Sequence, residues 1–428
     1  MRFNLKRTLK PIAVPILESA YKAKDGLKLA MLALGGRSRI KGIANADSIA
    51  HSRKFVIFAA YPTLDVASAH IRLLAKFQKA GYSIIICSNH PRTVELFADA
   101  IANGWVVISR MPFGRDFGCY QDSIAWLLNE INEQGQIVER IVLLNDSILT
   151  FDSAEAEIIR HLDAGGDFSG LTENYNFGRH LGSFSIGLSQ KVIYSKAFGK
   201  YWQTYKPYST RRHAINAGEI GFSKKMIKAG FAPRVLWSLS RLKEVLHGHS
   251  FESLCSIVEA MEQHLRSAVG TPLAFIDREL AKSYKTDLLA MLPQVSKEKS
   301  SPSEEQLAAP LAIVNIRDYL LGLEDGEQKR IAVSAAKSAL IDALLRHVFR
   351  GSQIHHGAAL LLFVGAGILK KDVVYRRIVE PFSVRKLLSD AKVGSQKEII
   401  EAEFELLQKD HPYSLRGWAK TLYDWDFA

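Results

Sequence analysis

At 428 residues, with 47% hydrophobic and 23% charged side chains, the chain is long enough for two or three domains and has the composition of a folded globular protein, not a disordered or fibrous one. Three cysteines (Cys87, Cys119 and Cys255) with no metal-like spacing argue against a disulfide framework and fit buried thiols in a reducing compartment. No run of 18 apolar residues occurs, so no membrane-spanning helix is expected, and the first residues lack the apolar core and small-residue cleavage site of a signal peptide.

The net charge of +12 is unevenly placed. Residues 1–54 carry twelve Lys and Arg against Glu18, Asp25 and Asp47, a local charge of +9. A basic arm of this kind suits an anionic surface, lipid or nucleic acid. Pro11 and Pro15 are expected to break its first half, and Gly35-Gly36 to end the second. The second half fits an amphipathic helix with Lys22, Lys24 and Lys28 on its polar side, either lying on a membrane or packed on the main domain.

From Lys54 the pattern changes. Phe55–Tyr61, Tyr82–Cys87, Trp105–Ile108 and Arg140–Leu144 are short apolar runs, as expected of strands buried on both faces. Between them, residues 66–80, 93–103 and 118–133 have helical spacing, the first two ending at Gly81 and Gly104. This alternation predicts an α/β domain with a mostly parallel sheet, flanking helices and right-handed crossovers. Residues 168–172 and 183–188 read as further strands, and residues 191–205 and 216–229 as helices. The expected organisation is a basic arm over 1–52, the α/β domain over 53–235, a helical extension over 236–292, a polar linker over 293–310 and an α-helical C-terminal region over 311–428. The greasiest stretch, Gly357–Leu369, reads as a buried helix. Lys370-Lys371, Arg376-Arg377 and the aromatic tail read as a helical cap or as contacts to acceptor or membrane.

Four motifs carry polar chemistry to the expected ligand edge of such a sheet. In Arg110–Gly118, Gly114 and Gly118 let the backbone approach a ligand, Arg115 offers a guanidinium fork to a phosphate, and Asp116 can cap a helix or take a ribose hydroxyl. There is neither a P-loop lysine nor a three-glycine dinucleotide fingerprint. Asn145-Asp146-Ser147 follows the fourth strand, where Asp146 with a diphosphate could hold Mg²⁺ or Mn²⁺, or else cap the next helix. Arg179, His180 and Ser183 surround a glycine-permitted bend and fit an acceptor side. Glu219, between two glycines at a helix start, has the chemistry of a general base for an attacking hydroxyl, although a first-turn Glu also serves the helix dipole.

Taken in order, these motifs resemble the rhamnan synthesis protein F family of bacterial polysaccharide glycosyltransferases. The resemblance is carried by Phe55–Tyr61, Gly114–Gly118, Val142–Ser147, Phe168–Glu173, His180–Phe184, Ser195–Phe198 with Trp202, Glu219–Ser223 and Pro272–Leu280. It spans about residues 54–280 and implies a GT-A-like, Rossmann-type fold. It also implies transfer of a sugar, rhamnose or another deoxyhexose, from a nucleotide-sugar donor to a growing, lipid-linked surface polysaccharide such as O-antigen, capsule or rhamnan. On that basis Gly114, Arg115, Asp116, Gly118, Asn145, Asp146 and Ser147 bind donor, Arg179, His180 and Ser183 shape the acceptor side, and Glu219 is the base of an inverting mechanism. Where such enzymes carry an Asp-x-Asp metal pair, this chain has Asn145-Asp146-Ser147, so a divalent cation rests on Asp146 alone or is replaced by Arg115. Gly182 stands where the family usually has Gln. The basic arm suggests a peripheral protein on the cytoplasmic face of the bacterial inner membrane. Two other classes fit the residues less well. One is a degenerate glycosyltransferase-like scaffold. The other is a basic nucleic-acid-binding protein, against which stands the lack of aromatics interleaved with the basic residues.

Overall fold

The computed structural model describes residues 5–61, 68–164, 166–175, 177–260, 322, 324–375 and 421. The polar linker of residues 293–310, the whole 261–292 stretch with its Pro272–Leu280 motif, and the Arg376-Arg377 and tail motifs lie outside the described residues. The described residues form two compact units. The first runs to Leu236 and also holds Gly367–Lys371 and Thr421, and the second holds Trp237–Ala366 and Asp372–Tyr375.

The first unit is built on an eight-stranded mixed sheet. Its parallel centre consists of β2 (Lys54–Ala60), β3 (Ser83–Ser88), β4 (Val106–Arg110) and β5 (Arg140–Asn145), laid out in the order β4-β3-β2-β5. Every residue of β2 after Lys54, and all of β5, is buried, which explains apolar runs with no alternation. Beyond β5 the sheet continues through β10 (Ser185–Ser189), β7 (Phe168–Gly170) and β11 (Pro233–Val235), with β10 antiparallel to both neighbours. The mostly parallel α/β fold is therefore as expected.

Helices cover the sheet. They are α2 (Ser68–Lys79), the short α3 (Thr93–Leu96) and α4 (Ala98–Ala102), α5 (Arg115–Glu133) and α6 (Asp152–Ala164). They are followed by α7 (Gln190–Ile193), α8 (Lys196–Thr204), α9 (Arg211–His213), a π-helical turn over Ala214–Ile220, and α10 (Gly221–Lys228). Phe117, Tyr120, Ile124 and Leu127 of α5 pack with Ile57, Ile85 and Leu143 of the sheet in one continuous core. Two small ribbons complete the unit. One joins β8 (Glu173–Asn174) to β9 (His180–Leu181), and the other joins β6 (Ile148–Thr150) to β12 (Ile368–Lys370).

Three expectations need correction. Residues 1–52 are not a separate arm. Helix α1 runs unbroken from Leu5 to Leu34 through Pro11 and Pro15, and β1 (Ile40–Ala44) then joins the sheet antiparallel to β4. Both prolines lie on the exposed face, four residues apart, where water can satisfy the carbonyls that lose a helical partner. Second, Gly357–Leu369 is not one helix. Its helix ends at Phe363, and Gly365 and Gly367, at φ 73° and 62°, turn the chain into β12. A Cβ on Gly367 would stand 2.2 Å from that of Ala154, so no other residue fits there. Third, the helix expected over 216–229 starts earlier, at Arg211, capped by the Thr210 hydroxyl.

The second unit is helical where described, with α11 (Leu239–His247), α12 (Phe251–Ala260), α13 (Glu327–Arg350), α14 (Gln353–His356) and α15 (Ala358–Phe363) around buried Leu242, Leu254, Leu344 and Leu360. Arg241 stacks 4.1 Å over Trp237, whose carbonyl accepts a 2.7 Å bond from the Gln353 amide.

Candidate active site at the carboxyl edge of the sheet

The parallel strands end on one edge, and the polar motifs follow them there. Tyr61 follows β2, Asn89 and His90 follow β3, Met111–Gly118 follows β4, and Asn145–Ser147 closes β5.

The loop after β4 is held from beneath by a buried ion pair. Arg110 Nε donates to Asp122 Oδ2 at 2.7 Å, and Arg110 Nη1 to the Phe113 carbonyl at 2.7 Å. Arg39, at the start of β1, forms a second ion pair with Asp122. Gly114 has φ 74° and lies against Pro207, which a Cβ would meet at 2.4 Å. Gly118 lies against the Phe113 carbonyl, which a Cβ would meet at 2.1 Å. The two glycines are thus required by packing of the loop on its own protein, an origin for the motif that the sequence did not distinguish from ligand approach. Arg115 is exposed and left-handed at φ 52°, a strained conformation for a residue with a side chain.

Asp116 and Asn145 meet across the edge, with Asn145 Nδ2 donating to Asp116 Oδ2 at 3.0 Å. Asn145 Oδ1 in turn accepts the Ser147 backbone N–H at 3.1 Å and its hydroxyl at 2.5 Å. Asp146 Oδ2 accepts the Tyr61 backbone N–H at 2.8 Å. Burial pushes the Asp116 carboxyl up, and the Glu219 charge adds to this, against the pull of Arg115 and Lys370. Among the described residues no group of three or more His, Cys, Asp or Glu side chains is placed to hold a metal ion.

A second cluster forms around Glu219. The π-helical turn that carries it is a rare local geometry, found often at functional sites. Gly218 lets this turn press on Phe117, and the Tyr201 hydroxyl donates to the Ala217 carbonyl at 2.9 Å. Glu219 therefore lies within a helical run and not in a first turn, so its carboxylate has no helix N-terminus to satisfy. It instead accepts the Ser183 hydroxyl at 2.7 Å on Oε2, and His180 Nε2 lies 3.5 Å from Oε1. The other His180 nitrogen, Nδ1, contacts the Gly178 carbonyl at 2.7 Å. Burial alone would raise the Glu219 pKa, but the His180 and Ser183 hydrogen bonds and the charges of His180 and Lys370 outweigh it and hold it below the ordinary carboxylate value. Burial works to lower the His180 pKa, and Glu219 and Gly178 reverse this, leaving it above the ordinary imidazole value. Arg179 does not join this group, because its Nε pairs with buried Glu173 at 2.8 Å.

Three contributors stand outside the candidate donor, acceptor and catalytic residues, although Lys370 reads in the sequence as a helical-cap residue or a contact to acceptor or membrane. Tyr61 is 55% exposed, with its ring centroid 6.1 Å from that of His90. Asn89 places a buried Oδ1 at this edge without a hydrogen-bond partner. Their only signal was position directly after a buried strand. The third is Lys370, which arrives on β12 and donates to Ser147 Oγ at 3.0 Å, with its ammonium 5.7 Å from the Phe184 ring centroid. Its basic character was visible, but its separation of 223 residues from Ser147 was not bridgeable by pattern.

A mixed α/β sheet with its charged and hydroxyl groups gathered on one strand edge defines an α/β domain of the ligand-binding class. Comparison with known families narrows this: the family model of rhamnan synthesis protein F matches residues 85–259, which supports that family for this part of the chain. No curated protein matches the chain. Among solved structures, similarity extends to a protein assigned as a glucose-1-phosphate thymidylyltransferase from Bacillus anthracis, solved with sucrose. The identity is 13% and the TM-score 0.28, covering 42% of this chain and 85% of that one. The glycosyltransferase GlyE of Streptococcus pneumoniae is similar at 11% identity and TM-score 0.26, covering 68% of this chain and 63% of that one. Among the described residues no helix is long and apolar enough to cross a membrane.

Proposed function

We propose that this chain moves a hexosyl group, rhamnose or another deoxyhexose, from a nucleotide-sugar donor to a growing, lipid-linked surface polysaccharide, with inversion at the anomeric carbon. The observation that carries this reading is the convergence of Ser183 and His180 on one carboxylate, Glu219, beside the Asp116–Asn145–Ser147 cluster. Arg115, Asp116 and Asn145 hold the donor, and the exposed Tyr61 ring gives its base a flat surface. The acceptor hydroxyl attacks the anomeric carbon as the bond from that carbon to the diphosphate oxygen breaks. The nucleoside diphosphate leaves with that electron pair, and the hydroxyl proton passes to Glu219. Ser183 and His180 orient Glu219 and the acceptor. Asp146 is the residue that would hold Mg²⁺ or Mn²⁺. Its lone carboxylate, with one oxygen already on the Tyr61 N–H, fits a divalent cation poorly. A donor-turnover assay tests the reading. The wild-type chain releases nucleoside diphosphate from a nucleotide sugar, and Glu219→Gln does not. Absence of turnover with every nucleotide sugar tried leaves only the degenerate scaffold.

The outer face of α1 supports a peripheral location on an anionic membrane. Ile12, Ile16, Leu27, Met31 and Leu34 are 64–89% exposed and share one face at 100° per residue, while Val14 and Asp25 are buried on the opposite side. Lys10, Lys24 and Lys28 are exposed along the flank of that stripe, where each is worth about 1 kcal/mol near anionic lipid. Flotation with phosphatidylglycerol vesicles but not phosphatidylcholine ones is expected, and Ile16→Asp with Leu27→Asp abolishes it. Equal flotation of the double variant overturns this location.

A further inference from the structure

We infer that Lys370 is the cation that receives the leaving diphosphate, taking the place that a metal ion would otherwise fill. This rests on the glycosyl-transfer reading and adds to it a phosphate-binding residue from outside the 85–259 family match.

The placement is built, not accidental. Strand β12 pairs antiparallel with β6 in a register that sets Lys370 opposite Ile148, the residue after Ser147. The Lys371 N–H donates to the Ser147 carbonyl at 2.9 Å, and the Phe151 N–H to the Gly367 carbonyl at 2.8 Å, which fixes both ends of the ribbon. Gly367 allows the ribbon to lie on Ala154. The Lys370 ammonium thereby reaches the hydroxyl that completes the Asn145-Asp146-Ser147 motif, and it also lies over Phe184, the last residue of the His180–Phe184 motif. One positive charge thus touches both the donor motif and the acceptor motif. Its field reaches both carboxylates that matter, since it lowers the proton affinity of Asp116 and of Glu219.

The charge balance of the edge argues the same way. A departing nucleoside diphosphate needs positive charge at the oxygen that takes the electron pair. Where the first Asp of a metal pair would stand, the chain has Asn145, whose side chain is committed to Asp116 and Ser147. An ammonium supplies the counter-charge with no demand on coordination geometry, as lysine does in other phosphate sites. Glu219 and Lys370 then sit at the two ends of the displacement: the carboxylate takes the acceptor proton while the ammonium takes the leaving-group charge.

The test is binding of uridine, thymidine and guanosine diphosphates to the full chain by calorimetry, with either EDTA or Mg²⁺ present, and donor turnover under the same two conditions. The wild type is expected to bind at least one of them with the same Kd in EDTA as in Mg²⁺. Lys370→Gln weakens that binding about tenfold or more and lowers kcat further, while Lys370→Arg restores most of both, with melting temperatures recorded to confirm folding. Binding abolished by EDTA and restored by Mg²⁺, with Lys370→Gln equal to wild type, overturns the assignment and leaves the glycosyl-transfer reading standing. No binding of any of the three in either condition overturns both.

Discussion

The Ser183 hydroxyl donates to Glu219 across a 2.7 Å hydrogen bond that joins residues 36 apart in sequence, linking the bend after β9 to the π-helical turn. That bond, together with His180, holds the carboxylate in one orientation. If Glu219 accepts the acceptor proton, Glu219→Gln keeps the shape and hydrogen-bonding capacity but removes the base. The expected loss in kcat is about 10²–10⁴-fold, with donor affinity nearly unchanged. Ser183→Ala removes orientation only and costs about tenfold. Steady-state kinetics combined with donor calorimetry checks both, and a Glu219→Gln variant retaining wild-type kcat rules out this residue as base.

His180 and Glu219 also set a pH signature. Glu219 is held below its ordinary value of 4.5, and His180 above its ordinary value of 6.5. The Glu219 contribution to stability is therefore present above about pH 4.5 and disappears as pH falls through its lower folded value. The His180 contribution is full below about pH 6.5 and disappears as pH rises through its raised value. His180→Gln removes the positive charge, so the Glu219 pKa climbs back and the acidic limb of kcat/KM moves to higher pH. An unmoved acidic limb means that His180 does not tune Glu219.

The glycine motif after β4 makes a prediction in which stability and affinity part. Gly118→Ala sets a methyl 2.1 Å from the Phe113 carbonyl, backbone against side chain with no flexible end to yield. A loss of about 2 kcal/mol or more is expected in denaturant unfolding, even without donor. If the variant keeps wild-type stability and loses donor affinity alone, the glycine serves the ligand and not the packing.

The parts legible from sequence were those set by local pattern. The strands β2 to β5 showed as unbroken apolar runs, and Gly81, Gly104 and Gly230 marked element ends because each has a positive φ. Asp116, Asn145, Ser183, His180 and Glu219 were all singled out, and the structure brings them into two hydrogen-bonded groups. Long-range contributions stayed hidden. β1 joins the sheet 66 residues before its partner β4, from inside what reads as a basic arm. Lys370 comes from a three-residue strand at the end of a greasy stretch, where a helical pattern was the natural reading. Arg179 looked like a site residue because its partner Glu173 lay in an adjacent motif whose pairing only the fold decides.

The base of the Lys370 ribbon carries an acid-sensitive joint. His70 on α2 is fully buried and contacts the Ile148 carbonyl through Nε2 at 2.6 Å, so that nitrogen carries the proton and donates. Burial first, then the charges of Lys371 and Arg72, lower its pKa to about 3 against the Ile148 hydrogen bond. Between about pH 6.5 and 3 the unfolded chain binds a proton at His70 that the folded chain refuses, so stability falls as pH falls, by at most about 1.4 kcal/mol per pH unit. The His180 contribution has the opposite sense, whereas His213 and His249, whose pKa values burial also lowers, lose stability in the same direction, so the His70 share is read from the difference between the wild type and a variant that lacks its ring. His70→Asn keeps a donor for Ile148 without a titrating ring. Its melting temperature, whatever its absolute value, is expected to decline less from pH 6.5 to 5 than that of the wild type. Parallel declines in the two proteins would place the acid sensitivity elsewhere.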